Sequence, residues 1–206
     1  PVLTLNNGTA SVNTSGLVGY WRFENESLGT ATDYSGWSNT GTLTNMNNAG
    51  NATSGPTTGR FGNAMQFDGV NDYIDVGNAS SLNIVGPLSI SLWIKLPTSY
   101  GVGSPWMVLI DKSWGQDPRL SYSLFFRGAT GDLRLYRSSG GVTSAKTSWS
   151  AGWYHIVVTS GNLYINGVLD ATGSVGSDTG NINNLRIGEA IDDSFPFNGT
   201  IDEVQI

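Results

Sequence analysis

Alternation of apolar and polar residues with a period of two is the feature that most constrains how this chain can fold. It is clearest in Ser89–Leu96, where four aliphatic residues share one parity and serine, tryptophan and lysine share the other. Because successive side chains of a β-strand point to opposite faces, this segment is predicted to be a strand with one face in a core. The chain shows no convincing helical repeat. Further segments predicted as strands are Tyr73–Val76, Ser121–Arg127, Asp132–Arg137, Tyr154–Thr159, Leu163–Ile165, Leu185–Ile187 and Ile201–Ile206.

Turn-forming residues separate these strands. The pair Asn166 and Gly167 lies directly between two short apolar runs, as a two-residue type I′ hairpin turn would. Gly131 with Asp132, and Gly180 with Asn181, are weaker turn signals of the same kind. Short strands joined by such turns predict an all-β sandwich or a barrel. The aperiodic stretches 42–59, 97–105 and 173–183 are predicted to be surface loops.

Charge and cysteine content exclude several function classes. The net charge is −6, and the ten Lys and Arg residues are scattered, so no basic stripe is available for nucleic acid. The absence of cysteine excludes a disulfide scaffold and a thiolate metal site. No apolar run is long enough to span a bilayer, so we expect no direct membrane insertion. We expect a piece of a larger protein, with residues 1–15 as an N-terminal extension or linker and 16–206 as one domain.

Several ordered motifs point to a known family. The segments are Gly16–Glu24, Asp33–Gly41, Gly59–Gly69, Ser89–Lys95, Trp153–Thr159, Leu163–Gly167 and Gly199–Val204. Together they resemble the laminin-G-like, concanavalin A-like jelly-roll family. The resemblance implies an all-β, two-sheet antiparallel jelly-roll sandwich with roughly six or seven strands in each sheet. It also implies that the first and last strands are adjacent. Lectins, carbohydrate-binding modules, adhesion domains and some glycoside hydrolases share this fold.

No arrangement of acids suggests catalysis, and we expect the chain not to be an enzyme. A glycosidase of this fold needs two carboxylates facing one cleft. Asp72 and Asp75 are three residues apart and so fall on opposite faces of a strand, while Glu24 and Glu26 lie where a strand enters a turn. His155 is the only histidine, and its regular strand context predicts a core position with a satisfied ring.

A structural calcium ion is the predicted cofactor, because calcium combines carboxylates with loop carbonyls. The resemblance places the strands that carry Glu24 and Asp202 side by side, so that the two acids can converge. The predicted ligands are Glu24, Asp33, Asn39, Gly41 and Asp202. Asp33 could instead hold its own turn by hydrogen bonds. The alternative for the whole set is that these acids only cap turns.

Aromatic residues divide into two predicted groups. The first is predicted as core from position: Trp21, Phe23, Phe67, Trp93, Trp153 and Tyr164. The second lies outside clean alternation and forms a predicted sugar-stacking and clamping set, since a pyranose stacks its C–H face on an aromatic ring. Its members are Tyr100, Trp106, Trp114, Asp117 and Arg119. Loop aromatics can equally plug the ends of a sandwich.

The sequence therefore predicts a non-catalytic carbohydrate-binding module of a secreted or cell-surface multidomain protein, stabilised by calcium. Its expected partner is a glycan or polysaccharide. The alternative is a protein-contacting adhesion or spacer domain that binds no sugar.

Overall fold

The computed structural model describes residues 3–6, 9–12, 16–24, 29–46, 54–113, 121–137, 140–174, 176 and 180–206. Nearly all regular structure is β, with one 3₁₀ turn at Ser80–Leu82. The strands are β1 (Leu3–Asn6), β2 (Thr9–Val12), β3 (Tyr20–Trp21), β4 (Thr30–Ala31), β5 (Gly41–Thr44), β6 (Gly55–Thr58), β7 (Asn63–Asp68), β8 (Tyr73–Gly77), β9 (Ser89–Leu96), β10 (Met107–Asp111), β11 (Tyr122–Arg127), β12 (Asp132–Arg137), β13 (Gly140–Thr143), β14 (Gly152–Thr159), β15 (Asn162–Ile165), β16 (Val168–Thr172), β17 (Leu185–Ile187) and β18 (Asn198–Gln205). No helix among the described residues is long and apolar enough to cross a membrane.

Two antiparallel sheets form the sandwich, as predicted. The front sheet has the order β13-β12-β11-β10-β17-β8-β5-β4. The back sheet has the order β16-β15-β14-β9-β18-β7-β6, and β3 also pairs with β18. The predicted adjacency of the first and last strands is therefore present, with Trp21 opposite Val204. Strands β1 and β2 pair with each other as a separate hairpin within the predicted extension.

The core lies between the two sheets and follows from the alternation. In β9, the side chains of Ile90, Leu92, Ile94 and Leu96 are at most 1% exposed, as the period of two predicts. The residues of the opposite parity, Trp93 among them, point outward. The inner faces of both sheets and the loops that close the ends contribute to one large buried cluster.

Three aromatic residues predicted as core lie elsewhere. Trp93, Trp153 and Tyr164 are only half-buried and stand on the outer face of the back sheet. His155 lies there too: its ring stacks on Trp93 with centroids 4.8 Å apart, and its Nε2 is 3.1 Å from Ser91 Oγ. The predicted core position of these four residues is therefore wrong, although the ring of His155 is satisfied. Trp21, Phe23 and Phe67 are fully buried, as predicted.

Two turn and loop predictions have different outcomes. Asn166 and Gly167 have φ values of 52° and 79°, which a type I′ turn requires, and they join β15 to β16. The stretch 42–59 is not all loop, because β5 ends within it and β6 lies within it. Each strand has only four residues, so the alternation that would reveal it is short. β6 also lies at the edge of its sheet.

Candidate functional site

Asp202, at the middle of β18, carries a buried carboxylate with one unsatisfied oxygen. Its Oδ2 accepts hydrogen bonds from the backbone N–H groups of Arg60 at 2.8 Å and Phe61 at 3.0 Å. Its Oδ1 is buried and has no hydrogen-bond partner of acceptable geometry in the described part of the chain. Burial raises the pKa of Asp202 to about 6, and the nearby charge of Glu203 adds to this rise while the two amides oppose it. A proton or a cation would relieve the cost of this buried charge.

Glu24 reaches the same turn from the segment that follows β3. Its Oε2 accepts a hydrogen bond from the Asn63 amide at 3.1 Å, and its backbone oxygen accepts one from Asn63 Nδ2 at 2.8 Å. Glu24 and Asp202 therefore both bind the turn 59–63, as their predicted convergence requires. Among the described residues, no group of three or more acidic or histidine side chains could hold a metal ion, so other ligands would have to be main-chain oxygens or water.

The other predicted calcium ligands are engaged in a different turn. The Asp33 carboxylate accepts four hydrogen bonds, from the amides of Tyr20, Ser35 and Asn39 and from Ser35 Oγ, at 2.8–2.9 Å. This is the turn-holding role that the sequence left open for Asp33. The backbone oxygen of Asn39 accepts from Trp21 Nε1 at 2.9 Å. Gly41 lies in β5, where a Cβ would collide with Ile74.

A glycine substitution tests the approach of Glu24 to the turn. A Cβ at Gly62 would overlap the Glu24 carboxylate, and its φ of 54° lies in the left-handed region that alanine can adopt. We expect Gly62→Ala to lower the free energy of unfolding by about 1–2 kcal/mol more in wild type than in Glu24→Ala, because only in wild type must Glu24 leave the Asn63 amide. Urea denaturation measures the loss in both backgrounds, and equal losses would contradict this geometry.

A cluster of aromatic rings lies on the outer face of the front sheet. The ring of Trp106 stacks on Phe125 with centroids 5.7 Å apart and an interplanar angle of 12°. Phe195 is also 5.7 Å from Trp106. Buried Val108 and Ala190 pack beneath, while Trp106 and Phe195 stay half-buried. Trp106, one of the predicted ligand residues, thus belongs to a group of three packed rings, which we call the Trp106 platform: Trp106, Phe125 and Phe195.

Polar groups surround this platform. The Arg134 guanidinium lies 5.3 Å from the ring centre of Tyr136, and both side chains are half-buried. Asp111 is fully buried, and its Oδ2 accepts from the Ile191 amide at 3.0 Å. On the neighbouring strands, Arg186 lies 3.9 Å from the ring centre of Tyr73. We call this area the front face: the Trp106 platform with Tyr136, Arg134, Arg186 and Tyr73.

The remaining members of the predicted sugar-binding set are not all on this face. Tyr100 is 5% exposed, and its ring packs in the core against Phe126 with centroids 4.7 Å apart. Burial also raises its pKa. A stacking role for Tyr100 is therefore wrong, because no ring face is open to a ligand. Trp114, Asp117 and Arg119 lie outside the described residues.

A second concave surface lies on the back sheet, and sequence reasoning missed it. The groove has a volume of about 530 Å³ and a mostly aliphatic floor that includes Leu88 and Val157. Ser91 and His155 line one side, and burial lowers the pKa of His155. Its residues come from four distant segments, so only the strand pairing could have revealed it.

A family model and several solved structures match this chain. The family model described as the concanavalin A-like lectin/glucanases superfamily matches residues 68–206. The chain belongs to this superfamily. The match begins at Asp68, the last residue of β7, and includes the strand of Asp202 and the three rings of the front-face platform. No curated protein matches this chain.

Solved structures with the same fold come from proteins of several kinds. Domain 4 of AbnA, a GH43 extracellular arabinanase from Geobacillus stearothermophilus in complex with arabinotriose, has a TM-score of 0.64 and 22% identity, covering 92% of this chain and 90% of that one. Trypanosoma rangeli sialidase with the inhibitor DANA has a TM-score of 0.61 and 15% identity, covering 98% and 32%. The binding domain of Botulinum neurotoxin DC in complex with rat synaptotagmin II has a TM-score of 0.61 and 15% identity, covering 93% and 48%. This chain thus spans about a third of the sialidase and about half of the neurotoxin binding domain's chain. At these identities the likeness shows the fold alone.

Proposed function

We propose that this lectin-like domain is a non-catalytic carbohydrate-binding module of a secreted or cell-surface protein, and that its front face holds the glycan. The observation that carries the proposal is the stacked platform of Trp106, Phe125 and Phe195. Residues 16–206 would form the binding domain, with 1–15 as its extension. The arabinotriose bound to the similarly folded arabinanase domain supports a glycan as the first ligand to test.

The chemistry of the front face suits a sugar. A pyranose or furanose ring has an apolar C–H face that packs on an aromatic ring, and hydroxyls that need donors and acceptors at its edge. The Trp106 platform offers the first. The Arg134 guanidinium and the hydroxyls of Tyr136 and Tyr73 are of the type needed for the second, whereas Arg186 already donates to Asp193 Oδ1 at 2.7 Å and to the Ala190 carbonyl at 3.0 Å.

The acids of the front face support a binding role over catalysis. Asp111 is fully buried and accepts a bond from a backbone amide. Burial raises the pKa of Glu189 to about 7, with the charge of Asp193 as a further cause. A raised pKa suits a general acid, but Glu189 is 1% exposed and lies 3.9 Å from the Arg186 guanidinium. Both carboxyls are almost completely buried, which disfavours direct contact with a glycosidic bond.

We further propose that calcium binds between Glu24 and Asp202. The orphaned, buried Oδ1 of Asp202 fits a cation, and the turn 59–63 supplies main-chain oxygens of the kind calcium accepts. The ion would join the first and last strands of the domain. Asp33, Asn39 and Gly41 are left out of this site, because their groups hold the neighbouring turn and β5.

Retention on immobilised polysaccharides tests the front face. We expect wild-type protein to be retained on at least one of arabinan, xylan, cellulose, chitin or starch, and Trp106→Ala to weaken that retention about tenfold or more. Ile182→Ala removes an apolar side chain that is 87% exposed elsewhere and serves as the control. Normal retention of Trp106→Ala would reject the front face, and absence of wild-type retention on every polymer would reject the function.

A further inference from the structure

We infer that the domain has a second glycan-contacting surface, built on the rigid turn that carries Trp37, and that it stacks on a neutral polysaccharide. The inference rests on the proposed glycan-binding function but uses residues away from the front face. We call this surface the aromatic strip: Trp37, Tyr34, Arg22, Glu24 and Phe61.

The turn that carries Trp37 is held unusually firmly. Besides the four hydrogen bonds to the Asp33 carboxylate, the Trp37 amide donates to Ser35 Oγ at 3.2 Å. Asn39 ties the far end of the turn to the domain, since its Nδ2 donates to the Val18 carbonyl at 2.6 Å. A turn braced this way loses little conformational freedom when a ligand binds, which favours affinity.

Aromatic rings on this turn and the next are open to solvent. Trp37 is 58% exposed, Phe61 54% and Tyr34 42%. Within the described part of the chain, the Trp37 ring contacts no other ring, whereas Phe61 stands edge-on to Trp93 with centroids 5.9 Å apart. Large apolar side chains held open on rigid turns mark a recognition surface more often than isolated exposed aliphatic residues do.

The pattern of the strip favours a glycan over a protein. Polar and charged groups separate the rings: Arg22 lies 5.6 Å from the ring centre of Tyr34 and 3.9 Å from a Glu24 oxygen, and Glu24 binds the turn of Phe61. A protein interface would need a contiguous apolar centre. A polysaccharide instead presents apolar ring faces together with hydroxyls, and a surface that combines exposed rings with polar groups offers contacts to both.

Charge balance indicates that the glycan is neutral. Arg22 lies 3.9 Å from Glu24 and 3.9 Å from Glu203, while the Arg60 guanidinium lies over Trp93 at 5.0 Å. The carboxylates here are at least as numerous as the guanidinium groups, so the surface has no excess positive charge that would attract a uronate, a sialate or a phosphate. The net charge of −6 points the same way.

Two separate surfaces should act together on a long chain. Binding at one surface raises the effective concentration of the polymer at the other, so each contributes strongly to polymer retention. A short oligosaccharide can occupy only one surface at a time. We therefore expect a substitution in the aromatic strip to weaken binding of long polysaccharides more than binding of short oligosaccharides.

The test compares Trp37→Ala, Trp106→Ala and the double variant on the polysaccharides named above and on arabinotriose in solution. We expect Trp37→Ala to melt like wild type, as an exposed substitution should, and to lose about tenfold of polymer retention while keeping the front-face affinity for arabinotriose or another short fragment. The double variant should lose both polymer retention and arabinotriose binding. The control is again Ile182→Ala.

Each outcome separates the two proposals. Unchanged polymer retention of Trp37→Ala overturns the strip and leaves the front face intact. Undiminished retention by Trp106→Ala that disappears in the double variant supports the strip and rejects the front face. Absence of wild-type retention on every polymer overturns both. Self-association that depends on Trp37, seen by sedimentation without any change in polymer retention, would show that the strip contacts a second copy of the chain instead.

Discussion

Trp21→Ala is expected to lower the free energy of unfolding by about 3–5 kcal/mol, the range for removing a fully buried large aromatic side chain. Trp21 is 0% exposed, and its Nε1 donates to the Asn39 carbonyl at 2.9 Å. It pairs with Val204, so it joins the first strand, the last strand and the Asp33 turn. Truncation would leave a cavity and an unpaired buried carbonyl together.

Trp93→Ala is the matched control, because the chemical change is identical and the burial differs. Trp93 is half-buried between the Arg60 guanidinium and the His155 ring on the outer face of the back sheet. We expect a loss of about 1–2 kcal/mol there, since solvent can fill the space. Equilibrium denaturation in urea measures both variants. Equal losses, or a loss below about 1 kcal/mol at Trp21, would contradict the assigned burial.

The contrast between these tryptophans shows what alternation can predict. The alternation in Ser89–Leu96 correctly places Trp93 on the face opposite the aliphatic residues. The large apolar ring of Trp93, taken by itself, suggests burial instead. The outer face of the back sheet resolves this conflict: turn residues Arg60 and Phe61 cover part of the ring. Which loop lies over which outer face depends on contacts between distant segments, and no local pattern carries that information.

Tyr100 shows the opposite error, and Trp149 beside it was assigned no role from the sequence. Trp149 is fully buried, donates from Nε1 to the Gly131 carbonyl at 2.9 Å and stands edge-on to Phe126. Tyr100 pairs with Trp149 through backbone hydrogen bonds of 2.8 Å in both directions. Both residues lie in segments without periodicity, and together they close one end of the sandwich. Sequence reasoning noted that loop aromatics can plug an end, but it could not select which ones.

The candidate cation site was partly predictable. The resemblance implied that the first and last strands are neighbours, and this brings Glu24 and Asp202 to one turn. Asp33 was not decidable, because a carboxylate in a turn can accept amides or bind a cation. The signal for the turn itself was present in Gly59 and Gly62, where a Cβ would collide with the Asp202 and Glu24 side chains respectively. Only the structure shows which acids those glycines admit.

Calcium in excess is expected to raise the melting temperature, and a chelator to lower it. An ion that binds only the folded state at 100 to 1,000 times its dissociation constant adds about 3–4 kcal/mol to the free energy of unfolding. Magnesium should substitute poorly, because it demands a tight octahedron that two carboxylates and a turn do not readily provide. Differential scanning calorimetry with calcium, magnesium and chelator measures the three cases.

The response should depend on pH with a definite sign. The folded-state pKa of Asp202 is about 6, above its ordinary value of 3.8, because of burial. Without calcium, the folded state therefore binds the proton more tightly, and the contribution of Asp202 to stability falls as pH rises from about 4 to about 6. Calcium favours the ionised carboxylate, so the gain in melting temperature should be larger at pH 7.5 than at pH 4.5.

Asp202→Asn isolates this carboxylate from other buried acids. Burial also raises the pKa of Asp72 to about 6 and that of Glu189 to about 7, so part of the pH dependence will persist in the variant. The asparagine oxygen can still accept from the amides of Arg60 and Phe61, but it cannot ionise. We expect the variant to lose most of the calcium response and to show a shallower pH dependence in chelator, while Asp68→Ala keeps the calcium response. Asp68 serves as the control because its Oδ1 accepts the Val70 amide at 2.9 Å within a separate turn. A melting temperature indifferent to calcium at pH 7.5, or an undiminished response in Asp202→Asn, would remove Asp202 from any metal site.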